Sequence, residues 1–441
     1  MKAFYPGVGH RAQVALPLAF AAAMALSLLS LGLLHDQFPA VMGLAILTVP
    51  CFFLPELGLA LFMLSGRFNL PLPEGFHEGP EMMTELSLVL VAPLVMVSLA
   101  RFLASTEKWR ILRLFAPFAL LGFLVFLRGS GSPGDTYTTE KLMRFGLVTL
   151  PGIFAALCIV RDPDSLKRFL WSIFAVGLAL GALGLPSLLR AHELLRVSAL
   201  GGNPINFARN LGLSFLVALV FLPRSRFKPL LVGAMALAGL LVLASGSRAP
   251  GLGLFAITLL VLLANCWRMR GPRKMALVLL VAPAAFYIFA NFYDLLSRLP
   301  MGSVGRYMLM REGLSVSSPA RLTLLDAAWS GFRMNPWGWG TGSFAAMSPI
   351  SFFRYPHNLL LEIAVELGLV GLVLALLVVL RAGFVSLKQV FSRGENSIPV
   401  AVVSVLFLFM LANAMFSGDI NSNLSLWMLA ALAMKFGGKS K

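Results

Sequence analysis

Long apolar runs separated by short polar segments recur along most of the chain. Runs of roughly 15–23 residues with few charges can cross a bilayer as helices, because a helix rises about 1.5 Å per residue. The pattern predicts spans at residues 13–34, 82–100, 114–127, 142–160, 169–189, 205–222, 229–245, 250–265, 276–290, 358–380, 398–416 and 424–436. A further run at 39–64 is interrupted by Pro50 and Pro55, which predicts a broken, hairpin-like or re-entrant element. We therefore expect an all-α polytopic membrane protein with about twelve transmembrane helices, or about fourteen if 39–64 crosses twice.

Basic residues cluster on alternate connections between these runs. The positive-inside rule assigns the basic connections to the cytoplasm, together with both chain termini. Their clusters are Arg101/Lys108/Arg110/Arg113, Arg161/Lys167/Arg168, Arg224/Arg226/Lys228, Arg268/Arg270/Arg273/Lys274 and Arg381/Lys388/Arg393. The other connections then fall on the outer side of the membrane, at 67–81, 128–141, 190–204, 246–249, 291–356 and 417–423.

Composition narrows the function classes. The 441-residue chain is 58% hydrophobic and only 12% charged, whereas a soluble domain carries about 25% charged residues. This excludes a soluble enzyme, a disordered regulator and a nucleic-acid binder, despite the net charge of +17. The three cysteines show no spacing typical of a disulfide framework or a zinc site. We interpret the run at 13–34 as a retained helix and not as a cleaved signal peptide.

The outer segment 291–356 divides the chain into an N-terminal transmembrane bundle (1–290), this loop, and C-terminal transmembrane helices (357–441). The loop contains aromatic residues and no lysine, and its arginines are Arg298, Arg306, Arg311, Arg321, Arg333 and Arg354. The guanidinium fork binds phosphate or carboxylate oxygens in pairs. The loop therefore favours recognition of an anion, although an arginine-rich composition without function is the alternative.

Within the loop, Ser318-Pro319 predicts the start of a helix near 319–334, with Arg321 in its first turn. Its apolar residues recur at helical spacing and predict a face that docks on the bundle or on lipid; they are Leu322, Leu325, Trp329 and Phe332. The glycine-rich stretch PWGWGTGSF follows, and glycine allows backbone to approach a ligand closely.

His357 follows the loop, and Pro356 predicts that it lies in the first turn of the next spanning helix. There the helix dipole would lower the pKa of the imidazole, so that a neutral histidine could accept a proton from a hydroxyl. A capping or interfacial histidine is the alternative. Arg248 lies in the short outer turn SGSRAP, where topology requires no cation, so we expect it to serve a ligand or an internal carboxylate.

Other ionisable residues lie near or below the outer surface. Arg209 is placed inside a span, where a cation must face a cavity or extend to the surface. Glu362 and Glu366 lie one turn apart in another span and could pair with the arginines. Asp419, one of few outer acids, could orient the histidine or hold an arginine.

No sequence motif for ATP hydrolysis or metal-dependent proteolysis is present. Metal-dependent sugar transfer would need clustered carboxylates, and the best group, at Glu74, Glu78, Glu81 and Glu85 with His77, is loosely spaced. We therefore expect no metal or other cofactor. Arginines that neutralise a diphosphate leaving group, beside a histidine base, suit transfer from a lipid-diphosphate donor.

Three segments, in this order, resemble the bacterial O-antigen ligase and O-antigen polymerase superfamily. They are SGSRAPGLGLFAI, SPARLTLLDAAWSGFRMNPWGWGTGSF and RYPHNLLLEIAVELGLVGLVLALL, and the close likeness covers roughly residues 241–380. They supply Ser247-Arg248, Arg321 with a Pro–Gly-rich loop, and His357-Asn358 ahead of Glu366, Gly368 and Gly371. Ala249 departs from the glycine that is common in the family.

The resemblance implies a glycosyltransferase-C-like enzyme of the bacterial inner membrane that works at the periplasmic face without a metal. Ligases of this family transfer a polysaccharide, the O-antigen, from undecaprenyl diphosphate to a sugar of lipid A-core. Polymerases of this family extend the polymer on the lipid carrier. Both work in contact with membrane lipids. The likeness implies that Arg248 and Arg321 contact the diphosphate and that His357 activates the acceptor.

We add further candidate substrate-binding residues, chiefly from their placement: Arg209, Arg306, Arg311, Asn358 and Asp419. One dominant outer loop favours a ligase over a polymerase of the same superfamily. A transporter or flippase for a lipid-linked anionic substrate is the third hypothesis, because intramembrane charges and a broken helix are also typical of transporters.

Overall fold

A computed structural model describes residues 48–65, 86–129, 136–189, 196–199, 202–268, 291, 317–392 and 398–437. Several predictions lie outside these residues: the spans at 13–34 and 276–290, the Glu74–Glu85 cluster, Arg306 and Arg311. The described part of the chain forms helices, turns and short connections without a β-strand. The predicted all-α class is therefore confirmed.

The helices follow one another with short connections. In chain order they are α1 Pro55–Leu64, α2 Leu86–Leu103, α3 Lys108–Gly129, α4 Thr136–Arg144, α5 Leu150–Ile159, α6 Pro163–Leu189, α7 Pro204–Phe221, α8 Lys228–Ala244, α9 Arg248–Arg268, α10 Ser317–Met334, α11 Phe344–Met347, α12 Leu359–Phe391, α13 Ile398–Ala414 and α14 Leu424–Gly437. A π-helical turn, Phe145–Thr149, joins α4 to α5 without interruption.

Six helical segments in the described ranges are long and apolar enough to cross a membrane, and five apolar helices are shorter. The long ones are α3, α4 with α5, α6, α7, α9 and α12. These helices confirm a polytopic membrane protein, while the count of twelve or fourteen spans stays a prediction. The predicted interruption of 39–64 is confirmed where the helical residues 48–53 end at Leu54 and α1 begins at Pro55.

The core of the bundle surrounds α14. Every residue of this helix from Leu424 to Phe436 is buried, and α14 packs against α5, α12 and α13. A largely apolar helix can be enclosed on all sides by other helices, since it has no polar face that must reach water. The helix α3, by contrast, buries Phe118 and Leu121 but exposes Leu120 and Phe123, as expected of a helix that faces lipid.

Cations bind helix carbonyls at the end of the bundle that the charge pattern assigns to the cytoplasm. Arg101 donates to the carbonyl of Ile159, at the last residue of α5. Lys435 donates to the carbonyls of Leu157 and Val160 at 2.6 Å. The last carbonyls of a helix lack partners within the helix, and cationic side chains can satisfy them. These cations therefore cap helices, and their positions also predict the orientation of the protein in the membrane.

The helix α12 is broken at Gly368, where φ is 70° and ψ is −166°. A Cβ atom at this position would lie 2.3 Å from the carbonyl carbon and oxygen of Trp337. Glycine is required because side chains disfavour this φ and because the chain at Trp337 passes against the break.

Replacement of Gly368 by alanine should lower the free energy of unfolding by roughly 1–3 kcal/mol, because it forces a strained backbone and a collision. Gly383→Ala, in the same helix but with nothing near its Cβ position, is the matched control and should be neutral. Thermal unfolding of the purified proteins in detergent measures both. Equal melting temperatures for the two variants would contradict this account of the break.

Candidate active site

Three residues predicted from sequence line one cavity. Arg248, Arg321 and His357 surround a cavity of about 520 Å³ whose remaining wall is largely apolar. Arg248 is the first residue of α9, Arg321 lies in α10, and His357 lies just before α12. Three separate parts of the chain thus place two guanidinium groups and an imidazole around one space.

His357 does not lie in the first turn of its helix, so that prediction was wrong. Asn358 is the N-cap of α12, and its side chain accepts a hydrogen bond from the backbone N–H of Leu361 at 3.0 Å. Pro356 therefore precedes the helix. His357 has φ 59°, the only positive φ of a non-glycine residue in the described part of the chain. Such strain is typical of functional positions held by their surroundings.

The imidazole of His357 is 9% exposed and packs between aromatic rings. Its ring lies 5.0 Å from that of Phe353 and 4.6 Å from that of Tyr355. Within the described ranges neither ring nitrogen has a hydrogen-bond partner. Buried polar atoms are nearly always paired, so a ligand is a natural partner for these nitrogens.

The electrostatic environment keeps His357 neutral. Burial, reinforced by the cations of Arg321 and Arg209, lowers the pKa of the imidazole from 6.5 to about 4, against a weaker opposing effect of Asp419. The direction of this pKa shift agrees with the prediction, but its cause is burial and neighbouring cations, not a helix dipole. A neutral imidazole can accept a proton at neutral pH.

The two arginines of the cavity repel each other. Burial and the nearby Arg248 lower the pKa of Arg321, and no described carboxylate forms an ion pair with Arg321. An anion between the two guanidinium groups would relieve this repulsion. Arg196 supports the turn that precedes Arg248, since it donates to the carbonyl of Ser245 and to the hydroxyl of Ser247 at 2.7 Å.

The predicted apolar face of α10 is not the face that packs on the bundle, and its alternative contact with lipid stays a prediction. Leu324 and Ala328 are fully buried against Phe344 and Val365, whereas Leu322 and Trp329 are exposed. Leu322 and Leu325, on another side of α10, line the cavity. In a membrane protein a bulky apolar face need not be the face that packs on protein.

The glycine-rich loop approaches a helix and does not line the cavity. The backbone N–H groups of Trp339 and Gly340 donate to the carbonyls of Val365 and Glu366, both at 2.9 Å. These carbonyls precede the break of α12 at Gly368. In return, the N–H of Leu369 donates to the carbonyl of Pro336 at 2.8 Å. The loop therefore fastens the end of α10 to α12.

The predicted residues Arg209 and Asn358 hold a wall of the cavity. Arg209 is buried and donates to the carbonyls of Asn413 and Ser417, and Asn358 donates to the carbonyl of Met415 at 3.1 Å. Arg209 itself lines a separate cavity of about 60 Å³. Their role in binding substrate stays a prediction.

The predicted partners of two acidic residues need correction, and the prediction for a third is narrowed. Asp419 accepts hydrogen bonds from the backbone N–H and hydroxyl of Ser422. The described residues show no hydrogen bond from Asp419 to a ring nitrogen of His357, and its predicted role toward an arginine stays a prediction. Glu362 and Glu366 bind the ammonium of Lys141 and not an arginine. Lys141 was missed because it is the last residue of the polar segment 128–141, which was interpreted as an outer connection. The structure shows that α4 begins within this segment, at Thr136.

Arg128 is a second residue that sequence analysis did not select. Its guanidinium donates to the carbonyls of Trp337 and Gly338, so it holds the glycine-rich loop from the end of α3. Both missed cations lie in the predicted outer segment 128–141. Across the ranges that the structure describes, no group of three or more His, Cys, Asp or Glu side chains could hold a metal ion.

Comparison with known proteins agrees with this location. Residues 233–376 match a family model described as O-antigen ligase. The matched range includes Arg248, Arg321 and His357, the two arginines and the histidine that line the cavity of about 520 Å³. No curated protein matches the chain.

Arg321→Gln should raise the pKa of His357 from about 4 toward its ordinary value, because the variant removes a nearby positive charge. Diethyl pyrocarbonate modifies only neutral imidazole, so the pH dependence of modification, read at His357 by peptide mass spectrometry, reports this pKa. Arg333→Gln, exposed at the end of the same helix, should leave the midpoint unchanged. A midpoint unaffected by Arg321→Gln would show that the cation does not act on His357.

Proposed function

We propose that this chain, of which residues 233–376 match a family model described as O-antigen ligase, transfers a polysaccharide from undecaprenyl diphosphate to a sugar hydroxyl of lipid A-core. The observation that carries the proposal is the cavity of about 520 Å³ that Arg248, Arg321 and His357 share. It combines two cations for a diphosphate with a neutral base for a hydroxyl. Such a site suits glycosyl transfer to an alcohol.

The shape of the cavity fits a lipid-linked donor. Its polar residues lie at helix ends, and its other wall is formed by apolar residues of α9 and α13, which include Leu252, Ala256 and Ala412. A diphosphate could bind the arginines while the first part of its lipid chain contacts this wall. A soluble nucleotide-sugar would gain nothing from such a surface.

The chemical step follows from these positions. His357 accepts the proton of the acceptor hydroxyl as the acceptor oxygen attacks the anomeric carbon of the donor sugar. The bond from that carbon to the diphosphate oxygen breaks, and its electron pair leaves with the diphosphate. Arg248 and Arg321 neutralise the charge that develops there. The step as proposed uses only groups of the protein and its two substrates.

The charge pattern supports an active site at the periplasmic face of the bacterial inner membrane, with both termini in the cytoplasm. Arg209, Arg306, Arg311, Asn358 and Asp419 remain proposed contributors to substrate binding or to its electrostatics. Of these, Arg209 and Asp419 act electrostatically on His357, in opposite directions.

His357→Asn should reduce transfer by about 10²–10⁴-fold, the usual contribution of a general base. Asparagine tolerates positive φ better than most residues, so the backbone can be kept. Transfer is measured in detergent with a defined lipid-linked donor and a lipid A-core acceptor, with and without chelator. Thermal unfolding of each variant checks folding. Wild-type activity of His357→Asn would remove the histidine from the mechanism.

The same assay separates the alternative functions. Elongation of glycan on the lipid carrier, with none on lipid A-core, would indicate a polymerase. Absence of transfer in detergent, combined with movement of the donor across vesicles, would indicate a transporter. Activity that is lost in chelator and restored by a metal would instead favour the Glu74–Glu85 cluster.

Arg321→Lys should raise KM for the donor by about tenfold or more, since a lysine ammonium cannot hold two phosphate oxygens in the planar geometry of a guanidinium. Arg333→Lys, in the last turn of α10, is the matched control and should keep the wild-type KM. If both variants bind the donor as well as the wild type, Arg321 does not contact the diphosphate.

A further inference from the structure

A buried cluster of three charges lies in the protein between α4 and α12. The ammonium of Lys141 lies 2.5 Å from Glu362 and 2.7 Å from Glu366. The three side chains are 1%, 1% and 3% exposed, respectively. An ion pair with so little exposure is not weakened by water or by salt as a surface pair is.

The cluster holds one cation against two carboxylates. The second oxygen of each carboxylate, Oε2 of Glu362 and Oε1 of Glu366, has no partner in the part of the chain that the structure describes. Removal of the ammonium would therefore leave two carboxyl groups, one turn apart on one helix, without compensation. A buried pair that loses one partner is strongly destabilised, because the remaining charge keeps the cost of its desolvation.

Glu366 links this cluster to the Arg321 helix. Its side chain binds Lys141, and its backbone carbonyl accepts the N–H of Gly340 from the loop that follows α10. Glu366, which the ammonium of Lys141 binds, therefore also helps to fix the position of the C-terminal end of α10. Asn421 adds a further contact, since its amide donates to the carbonyl of Lys141 at 2.9 Å.

The helix α4 also contacts the chain just before His357. The guanidinium of Arg354 lies 5.4 Å from the centre of the Tyr137 ring and 3.9 Å from the carboxylate of Glu140. The helix α4 thus meets the chain on both sides of His357, three residues before it and again along α12. This arrangement can set where the imidazole stands relative to Arg321.

We infer that Lys141 is a positioning residue of the transfer reaction: through Glu362 and Glu366 its ammonium holds α12 in the one setting where His357 and Arg321 share a cavity. The inference rests on the proposed function for its effect on transfer. Its effect on the position of His357 does not depend on that function and can be measured separately.

Lys141→Met should reduce transfer by about 100-fold, the effect of displacing a reacting group by about 1 Å. It should also speed modification of His357 by diethyl pyrocarbonate at pH 7, because the imidazole is no longer held among its neighbours. The first readout is transfer in detergent, and the second is the modification rate at His357 by mass spectrometry. Lys141→Arg, which keeps the cation, should retain more transfer activity and slower modification of His357 than Lys141→Met.

A neutral triple variant separates positioning from mere charge compensation. Lys141→Met combined with Glu362→Gln and Glu366→Gln has no buried charge, so it should regain the melting temperature of the wild type. Positioning predicts that His357 still reacts faster than in the wild type and that transfer stays low. Full recovery of His357 protection and of transfer would overturn the inference, because neutrality alone would then suffice.

Arg168→Met is the matched control, since it removes the cation that binds the buried Glu56 at 2.8 Å, away from the cavity. It should leave both the His357 modification rate and transfer at wild-type values. Unchanged His357 reactivity in Lys141→Met would overturn the inference even if transfer falls. If Lys141→Met speeds modification of His357 but the wild type itself shows no transfer, the proposed function is refuted. The structural role of Lys141 is then still supported.

Discussion

At Gly368 the chain of α12 leaves helical geometry, and the carbonyls of Val365 and Glu366 lose their partners within the helix. Unpaired backbone groups away from water are costly, and this cost is higher within a membrane. The glycine-rich loop supplies the missing N–H groups. As a result, the helix that carries Arg321 is fastened to the helix that follows His357, and the geometry of the cavity depends on this exchange of hydrogen bonds.

Charge is distributed in this protein by two different rules. At the predicted cytoplasmic end, cations such as Lys435 bind the final carbonyls of helices. Around the cavity, Arg248 and Arg321 lie close enough to raise each other's electrostatic energy. The first arrangement stabilises the folded chain by itself. The second is costly until an anion binds, and the surrounding packing must hold it in place.

The sequence was informative where charges are rare. Arg248 could be selected because it stands in a short outer turn where topology requires no cation, and Arg321 because its loop contains arginines and no lysine. His357 could be selected because it follows that loop at the predicted start of a span. The structure brings all three to one cavity. The helix pattern was also predictable, since long apolar runs have few alternatives in a membrane. The break of α12 was not predicted, because a glycine within an apolar run does not reveal which chain will pass against it.

Residues that act through distant partners were missed. Lys141 ends the polar run TYTTEK, which resembles a connection because the first turns of α4 are polar. Its partners Glu362 and Glu366 are more than two hundred positions away, so no local spacing reveals the cluster. Which of the two predicted surfaces, the bundle or lipid, the apolar face of α10 meets could not be decided, because hydrophobicity alone does not distinguish a surface that packs on protein from one that meets lipid.

The low pKa of His357 has a consequence for the order of events after transfer. In the proposed reaction, a diphosphate bound to Arg321 would offset its charge and make the imidazolium tolerable. Once that anion leaves, burial and the cations of Arg321 and Arg209 again disfavour the imidazolium, and His357 releases its proton readily. Departure of the diphosphate carrier would thereby return His357 to its neutral form, so that the histidine can accept a proton from the next acceptor.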